Sequence, residues 1–108
     1  MKYKKEVFNG IGRDIFFKAM QAEGVHAYPG YTPLYREKLF ITDPDEYPWL
    51  KEQDYESLSL PVTERICDDE SVWLKQNYLL SDDSDIQDIV DAFKKVTTAL
   101  KNEPELFR

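Results

Sequence analysis

The clearest run of regularly spaced apolar positions lies toward the end of the chain. Ile86, Ile89, Val90, Phe93, Val96 and Leu100 recur every three or four residues, the spacing that lines one face of an α-helix. Ser84 with Gln87 three positions on fits a capping box, and Asp82, Asp83 and Asp85 complement the positive end of a helix dipole. The pattern therefore predicts a helix that starts within Ser81–Asp85, runs to about Lys101 and is stopped by Pro104. Ile15, Phe16, Ala19 and Met20 make a second stripe and predict a helix over Arg13–Glu23. Gly24 stands where such a helix wants its left-handed terminating residue.

Shorter segments read as strands. Lys2–Phe8 alternates loosely and is closed by the turn signal Asn9-Gly10. Val25–Tyr28 is closed by Pro29-Gly30. Ser71–Leu74 places Trp73 on one side and Val72 with Leu74 on the other, and Tyr78, Leu79 and Leu80 read as its continuation. Pro61 suits the first turn of a short helix ending near Glu70, with Val62, Ile66 and Cys67 on its apolar side. The order is strand, helix, strand, long connection, short helix, strand, helix. It predicts one α+β domain over residues 1–108: a small, mainly antiparallel sheet with helices packed on one face.

The stretch from Pro29 to Leu60 has no sustained period and is interrupted by Pro29, Pro33, Pro44 and Pro48. Yet seven of the fifteen aromatic residues fall between Tyr28 and Tyr55, so it is built to pack rather than to act as a linker. Ordering each residue costs roughly 1–2 kcal/mol, and burial of those rings is the natural offset, at about 25 cal/mol per Å² of apolar area.

Charge is unevenly placed. Residues 1–42 carry seven Lys/Arg and four Asp/Glu, net +3, whereas residues 43–108 carry seven and seventeen, net −10. This acidity argues against a nucleic-acid groove. No apolar run is long enough to span a membrane, and the basic start MKYKKEVF lacks a signal-peptide core. The single cysteine, Cys67, and the single histidine, His26, do not supply a zinc set or a local nucleophile–base pair. A reducing cytoplasm is the expected compartment. The acids of SDDSD lack the spacing, glycine and terminal glutamate of an EF-hand, so no metal is expected.

Three stretches resemble a known family. Gly12-Arg13-Asp14-Ile15-Phe16 leads into Ala19-Met20-Gln21-Ala22-Glu23-Gly24-Val25. Gly30-Tyr31-x-Pro33-Leu34-Tyr35-Arg36 is followed by Leu39-Phe40. Pro61-Val62-x-Glu64-Arg65 precedes Val72-Trp73-Leu74, Leu79-Leu80 and the closing helix Ile86 to Val96. In this order and spacing the chain is similar to the C-terminal small domain of the DegT/DnrJ/StrS-type sugar aminotransferases, pyridoxal-phosphate enzymes of fold type I. Residues 42–58 follow the family pattern least.

That resemblance implies a parent reaction moving an amino group from Glu or Gln to a keto-sugar or cyclitol. It also implies that the Schiff-base lysine and most cofactor contacts lie in a large domain with no counterpart here. On this reading the chain is not catalytic alone and holds no cofactor. It is an excised piece, a truncated gene product or a split subunit, whose partner is the missing large domain or a companion chain; a homo-oligomer is also compatible. The resemblance places Tyr31, Tyr35 and Arg36 on the substrate side, Arg36 toward an anionic group and the phenols toward sugar hydroxyls. Two alternatives stay open. Arg36 and Arg65 could pair with internal carboxylates while the tyrosines only pack, and the whole chain could be a stand-alone interaction or small-ligand-binding module. The second predicts a surface without a large exposed apolar patch.

Overall fold

The fold is taken from a computed structural model that describes residues 1–40, 43, 45–50, 54 and 57–108, with the side chains of Phe40 and Leu50 left aside. Helix α1, Arg13–Ala22, occupies nearly the predicted span. Gly24 adopts φ +83°. The amides of Gly24 and Val25 donate to the carbonyls of Gln21 and Met20, each at 3.0 Å, which closes the helix in a Schellman-type turn. The chain then enters β1, Ala27–Tyr28.

The short helix α2, Pro61–Arg65, passes without a break into a wider π-type turn over Ile66–Glu70. Strand β2, Trp73–Leu74, pairs antiparallel with β1, Ala27 opposite Leu74 and Tyr28 opposite Trp73. Just upstream, Ser71 bridges Lys2, and the amides of Tyr3 and Val72 donate to Glu70 and Met1 at 2.6 and 3.0 Å. One extended segment thus binds two partners in turn. The molecule is helix-rich with a small two-stranded antiparallel sheet, compatible with an α+β class.

Helix α3, Asp83–Asn102, is the longest element. The expected capping box does not form. The cap is Asp82, whose carboxylate accepts from the amides of Ser84 and Asp85 at 3.1 and 3.0 Å, while Gln87 turns down the helix to Asp91. A carboxylate one position before the first turn satisfies two free amides at once, so it outcompetes the Ser84 hydroxyl. At the far end Asn9 Nδ2 donates to the carbonyls of Leu100 and Lys101, each at 3.0 Å. Asn9 reaches them because its backbone is left-handed, φ 55°.

Two strand expectations are corrected. Lys5–Phe8 is a 3₁₀ turn, and of the proposed Lys2–Phe8 strand Lys2 makes the bridge to Ser71. Coiling brings Phe8 back over Tyr3, rings stacked at 4.9 Å, which an extended chain could not do. Tyr78, Leu79 and Leu80 do not prolong β2 but lie in a second 3₁₀ turn, Gln76–Leu80. There the Tyr78 hydroxyl accepts the His26 amide at 3.0 Å.

The core is where α1 crosses α3 over the extended segments. Tyr3, Ile11, Phe16, Met20, Val25, Val72, Val96 and Leu100 are buried. Phe16 meets Tyr3 and Phe93 at ring distances of 5.3 and 5.8 Å, and the Tyr3 hydroxyl donates to Ile11 O at 2.9 Å. Outside this core the chain is open. Its radius of gyration is 18.5 Å, against about 13 Å for a compact domain of roughly 100 residues.

Candidate functional site

The residues singled out by sequence lie on an arm formed by the loop after β1 and by α2 with its π-type turn. The arm is joined to the core by Arg13, the first residue of α1 and almost wholly buried. Its guanidinium donates to the carbonyls of Cys67, Ser71 and Asp68 at 3.0, 2.9 and 2.6 Å. Five-residue hydrogen bonding leaves carbonyls of a π-type turn without amide partners in register, and a planar cation with several donors collects them. The sequence offered only an arginine at a helix start, a place where a cation is unfavourable on the dipole. That misfit was the one available signal that Arg13 points elsewhere.

At the root of the loop, Gly30 has φ +86°, and a Cβ there would lie 2.6 Å from the Trp73 indole nitrogen. Glycine is required on both counts. Tyr31 meets Trp73 edge-on at 5.1 Å and leaves the rest of its ring in solvent. Three residues on, a 3₁₀ turn over Leu34–Arg36 sets Tyr35 and Arg36 against α2. The Tyr35 hydroxyl donates to Glu64 Oε1, which also accepts the Leu60 amide at 2.9 Å. Arg36 pairs with Asp68 at 2.9 Å and with Glu64 at 3.6 Å, its charge 5.7 Å from the Tyr35 ring centre. Arg65 pairs with Glu70 instead, at 3.2 Å.

The structure thus brings Tyr35 and Arg36 together and adds Glu64 and Asp68, which sequence reasoning did not single out. Tyr31 stands apart, on Trp73. The electrostatics follow from these contacts. Partial burial and the bond to Glu64 push the Tyr35 phenol up, while that same bond and the Leu60 amide hold Glu64 below the usual carboxylate range. The bond to Asp68 keeps Arg36 firmly charged. Both titrating groups of the pair move away from neutrality, so the pair is poorly matched to proton transfer near pH 7. It can recognise: the Arg36 side chain remains about half exposed while its guanidinium is held by Asp68 and Glu64.

Pyridoxal phosphate needs a lysine amine in a sheltered pocket beside its other contacts. The described lysines are all exposed, and Lys94 and Lys95 are engaged with Asp91 and Glu23 at 3.0 and 2.7 Å. The residues present do not fit that group. Among the described residues no cluster of three or more His, Cys, Asp or Glu could hold a metal ion, and no helix is long and apolar enough to cross a membrane.

The arm is also rich in exposed apolar surface. Tyr31, Leu34, Leu39, Leu58, Leu60, Val62, Ile66 and Trp73 are all exposed, as many large side chains as the core buries. Exposed apolar side chains gathered into a contiguous patch mark an interaction surface on a soluble protein.

Comparison with known proteins places the chain. A protein of Micromonospora echinospora is 35% identical over 103 residues, covering 88% of this chain and 24% of its own length. A Streptomyces kanamyceticus protein is 32% identical over 107 residues, covering 93% and 26%. A third, from Streptoalloteichus tenebrarius, is 33% identical over 103 residues, covering 88% and 24%. All three carry, provisionally, the name L-glutamine:3-amino-2,3-dideoxy-scyllo-inosose aminotransferase. The chain spans about a quarter of the length of these relatives. No protein-family model matches it, and no solved structure does.

Proposed function

We propose that this chain, homologous to a quarter of an aminotransferase as its motifs implied, serves as the C-terminal small domain of a pyridoxal-phosphate sugar aminotransferase. The parent reaction moves an amino group from glutamine or glutamate to a keto-sugar or cyclitol in the cytoplasm. The large domain or a companion chain supplies the cofactor and the lysine that binds it. This chain supplies a folded platform and one side of the substrate cleft. On it Tyr31, Tyr35 and Arg36 face the substrate, Arg36 from its half-exposed position beside Glu64 and Asp68.

The observation that carries this reading is the coincidence of two features. Relatives match the chain almost end to end, and its arm carries uncovered apolar side chains beside an exposed arginine. A stand-alone interaction module is the competing reading, and it called for a surface without such a patch. The arm supports the aminotransferase reading, because a surface of this kind needs a second body to cover it.

Cofactor attachment tests it. The purified chain is incubated with pyridoxal phosphate, reduced with borohydride and weighed intact. No lysine should be labelled stoichiometrically. Clean labelling of one lysine, with the unreduced adduct released by glutamate, would place the chemistry within these residues and overturn the reading. The complementary arm is binding. The chain should form a complex with the isolated remainder of one of its relatives, and Leu39→Asp together with Val62→Asp should abolish it.

A further inference from the structure

On the side of the core formed by α3 lies an open groove of about 390 Å³ that the aminotransferase reading leaves unused. One wall is Ile86, Ile89, Val90 and Phe93, and the other includes Tyr78 and Leu79. The first four are the predicted apolar stripe of α3. Lower down the same helix Val96 and Leu100 are buried, whereas Val90 is 40% exposed and Leu79 across the groove 72%. The stripe is therefore covered at its C-terminal end and open at its N-terminal end. From Ile86 to Thr97 the open wall runs about 16 Å at 1.5 Å per residue, roughly three helical turns.

Charge chooses among occupants. Between Lys75 and Lys94 the chain has five aspartates, Asp82, Asp83, Asp85, Asp88 and Asp91, and no lysine or arginine. Among the described residues Met1 and Lys94 bring cationic groups to the groove, and both are engaged, the Met1 ammonium donating to Val72 O at 2.7 Å and Lys94 pairing with Asp91 at 3.0 Å. Helical spacing puts Asp82 and Asp83 in line with the stripe, one turn before Ile86, and Asp85 on its flank. A second copy would bring up another chain of net charge −7, and a parallel two-fold contact would set one α3 against another, aspartates against aspartates. A helix with an apolar ridge and a basic edge meets no such repulsion, because its ridge fills the groove and its cations face the carboxylates.

We propose that the α3 groove is a docking site for a short amphipathic helix with a basic edge. This holds whether or not the chain serves an aminotransferase. The probe is a labelled synthetic peptide of about 18 residues, long enough for three or more turns, with leucines at i, i+3, i+4 and i+7 and lysines elsewhere. Its control replaces every lysine with glutamate. Fluorescence anisotropy with the whole chain should show the lysine peptide bound at least about tenfold more tightly than the control, and weaker at high salt.

The decisive variant is Val90→Asp, with Leu79→Asp as a second at a more exposed position. Each adds negative charge, so an attraction that was only electrostatic would strengthen. Docking in the groove predicts the opposite, a loss of at least about tenfold, because a carboxylate is buried under the ridge. Circular dichroism should be unchanged. Equal binding of the two peptides, or variants that bind as well or better, would overturn the proposal. So would a chain that sediments as a dimer and becomes monomeric with Val90→Asp, since the occupant would then be a second copy.

Discussion

The core and the arm of this molecule are held by different physics. Around Phe16, Met20 and Leu100 the chain has removed its side chains from water almost completely, and few polar groups are involved. Around Tyr35, Arg36, Glu64 and Asp68 the reverse holds. Polar side chains face one another while Leu34, Leu39 and Val62 stand in solvent. Exposed ion pairs contribute little to stability, whereas each fully buried large side chain contributes roughly 1.5–3 kcal/mol. The core therefore accounts for folding, and the arm keeps apolar side chains that folding leaves in solvent.

Truncation should separate the two regions most sharply. Leu100→Ala, at a fully buried position, should cost about 2–5 kcal/mol through lost transfer energy and a residual cavity. Leu39→Ala, at a side chain 84% exposed, should change stability by less than about 0.5 kcal/mol. Urea unfolding followed by circular dichroism measures both. A large loss from Leu39→Ala would show that the arm belongs to the folding unit, and the comparison would break.

Arg13 is the joint between the regions, and its removal is the next largest effect. Arg13→Met keeps an apolar stem but deletes the guanidinium, which lies 5.5 Å from the Phe17 ring centre and donates to Cys67, Asp68 and Ser71. Hydrogen bonds from a charged donor contribute about 1.5–3 kcal/mol, and unsatisfied carbonyls remain behind. The loss should be local. Amides over residues 66–72 should exchange faster with deuterium while those of α3 keep their protection. Uniform loss across both would mean that arm and core unfold as one.

The same division explains what could be read from the sequence. Helices α1 and α3 were legible because their signal is local, an apolar stripe with a period near that of the helix and terminators such as Gly24 and Pro104. The segment Ser71–Leu74 was legible by its alternation, and Trp73 does face away from the buried Val72. Lys5–Phe8 and Tyr78–Leu80 were misread as strand because an apolar run says nothing about what lies opposite, and both lie in 3₁₀ turns. On the arm, the sequence marked Tyr31, Tyr35 and Arg36 through a resemblance and through aromatic density. It could not pair them. Glu64 and Asp68 are two of seventeen acids in residues 43–108, and only the fold brings them to partners 29 and 32 positions away in the chain. Residues 42–58, which follow the family pattern least, fall partly outside the described residues.

Titration gives the finest test. In the arm, Glu64 has a depressed folded pKa, so its contribution is present above its ordinary value of 4.5 and is lost as pH falls through the lower folded one. Tyr35 has a raised folded pKa, so its contribution is present below 10.0 and is lost as pH rises through the higher folded one. In the core, burial pushes Tyr3 up to about 12. Its contribution is likewise whole below 10 and lost as pH climbs through about 12. The arm should therefore loosen at both ends of the scale, and the core through Tyr3 only at the alkaline end. Tyrosine ring resonances followed by NMR should show Tyr35 shifting at acid pH while Tyr3 does not, with Tyr35→Phe removing that shift and leaving urea unfolding at neutral pH nearly unchanged. If Tyr3 and Tyr35 moved together in acid, the arm and the core would be one cooperative unit, and the separation between a folding half and a recognition half would fail.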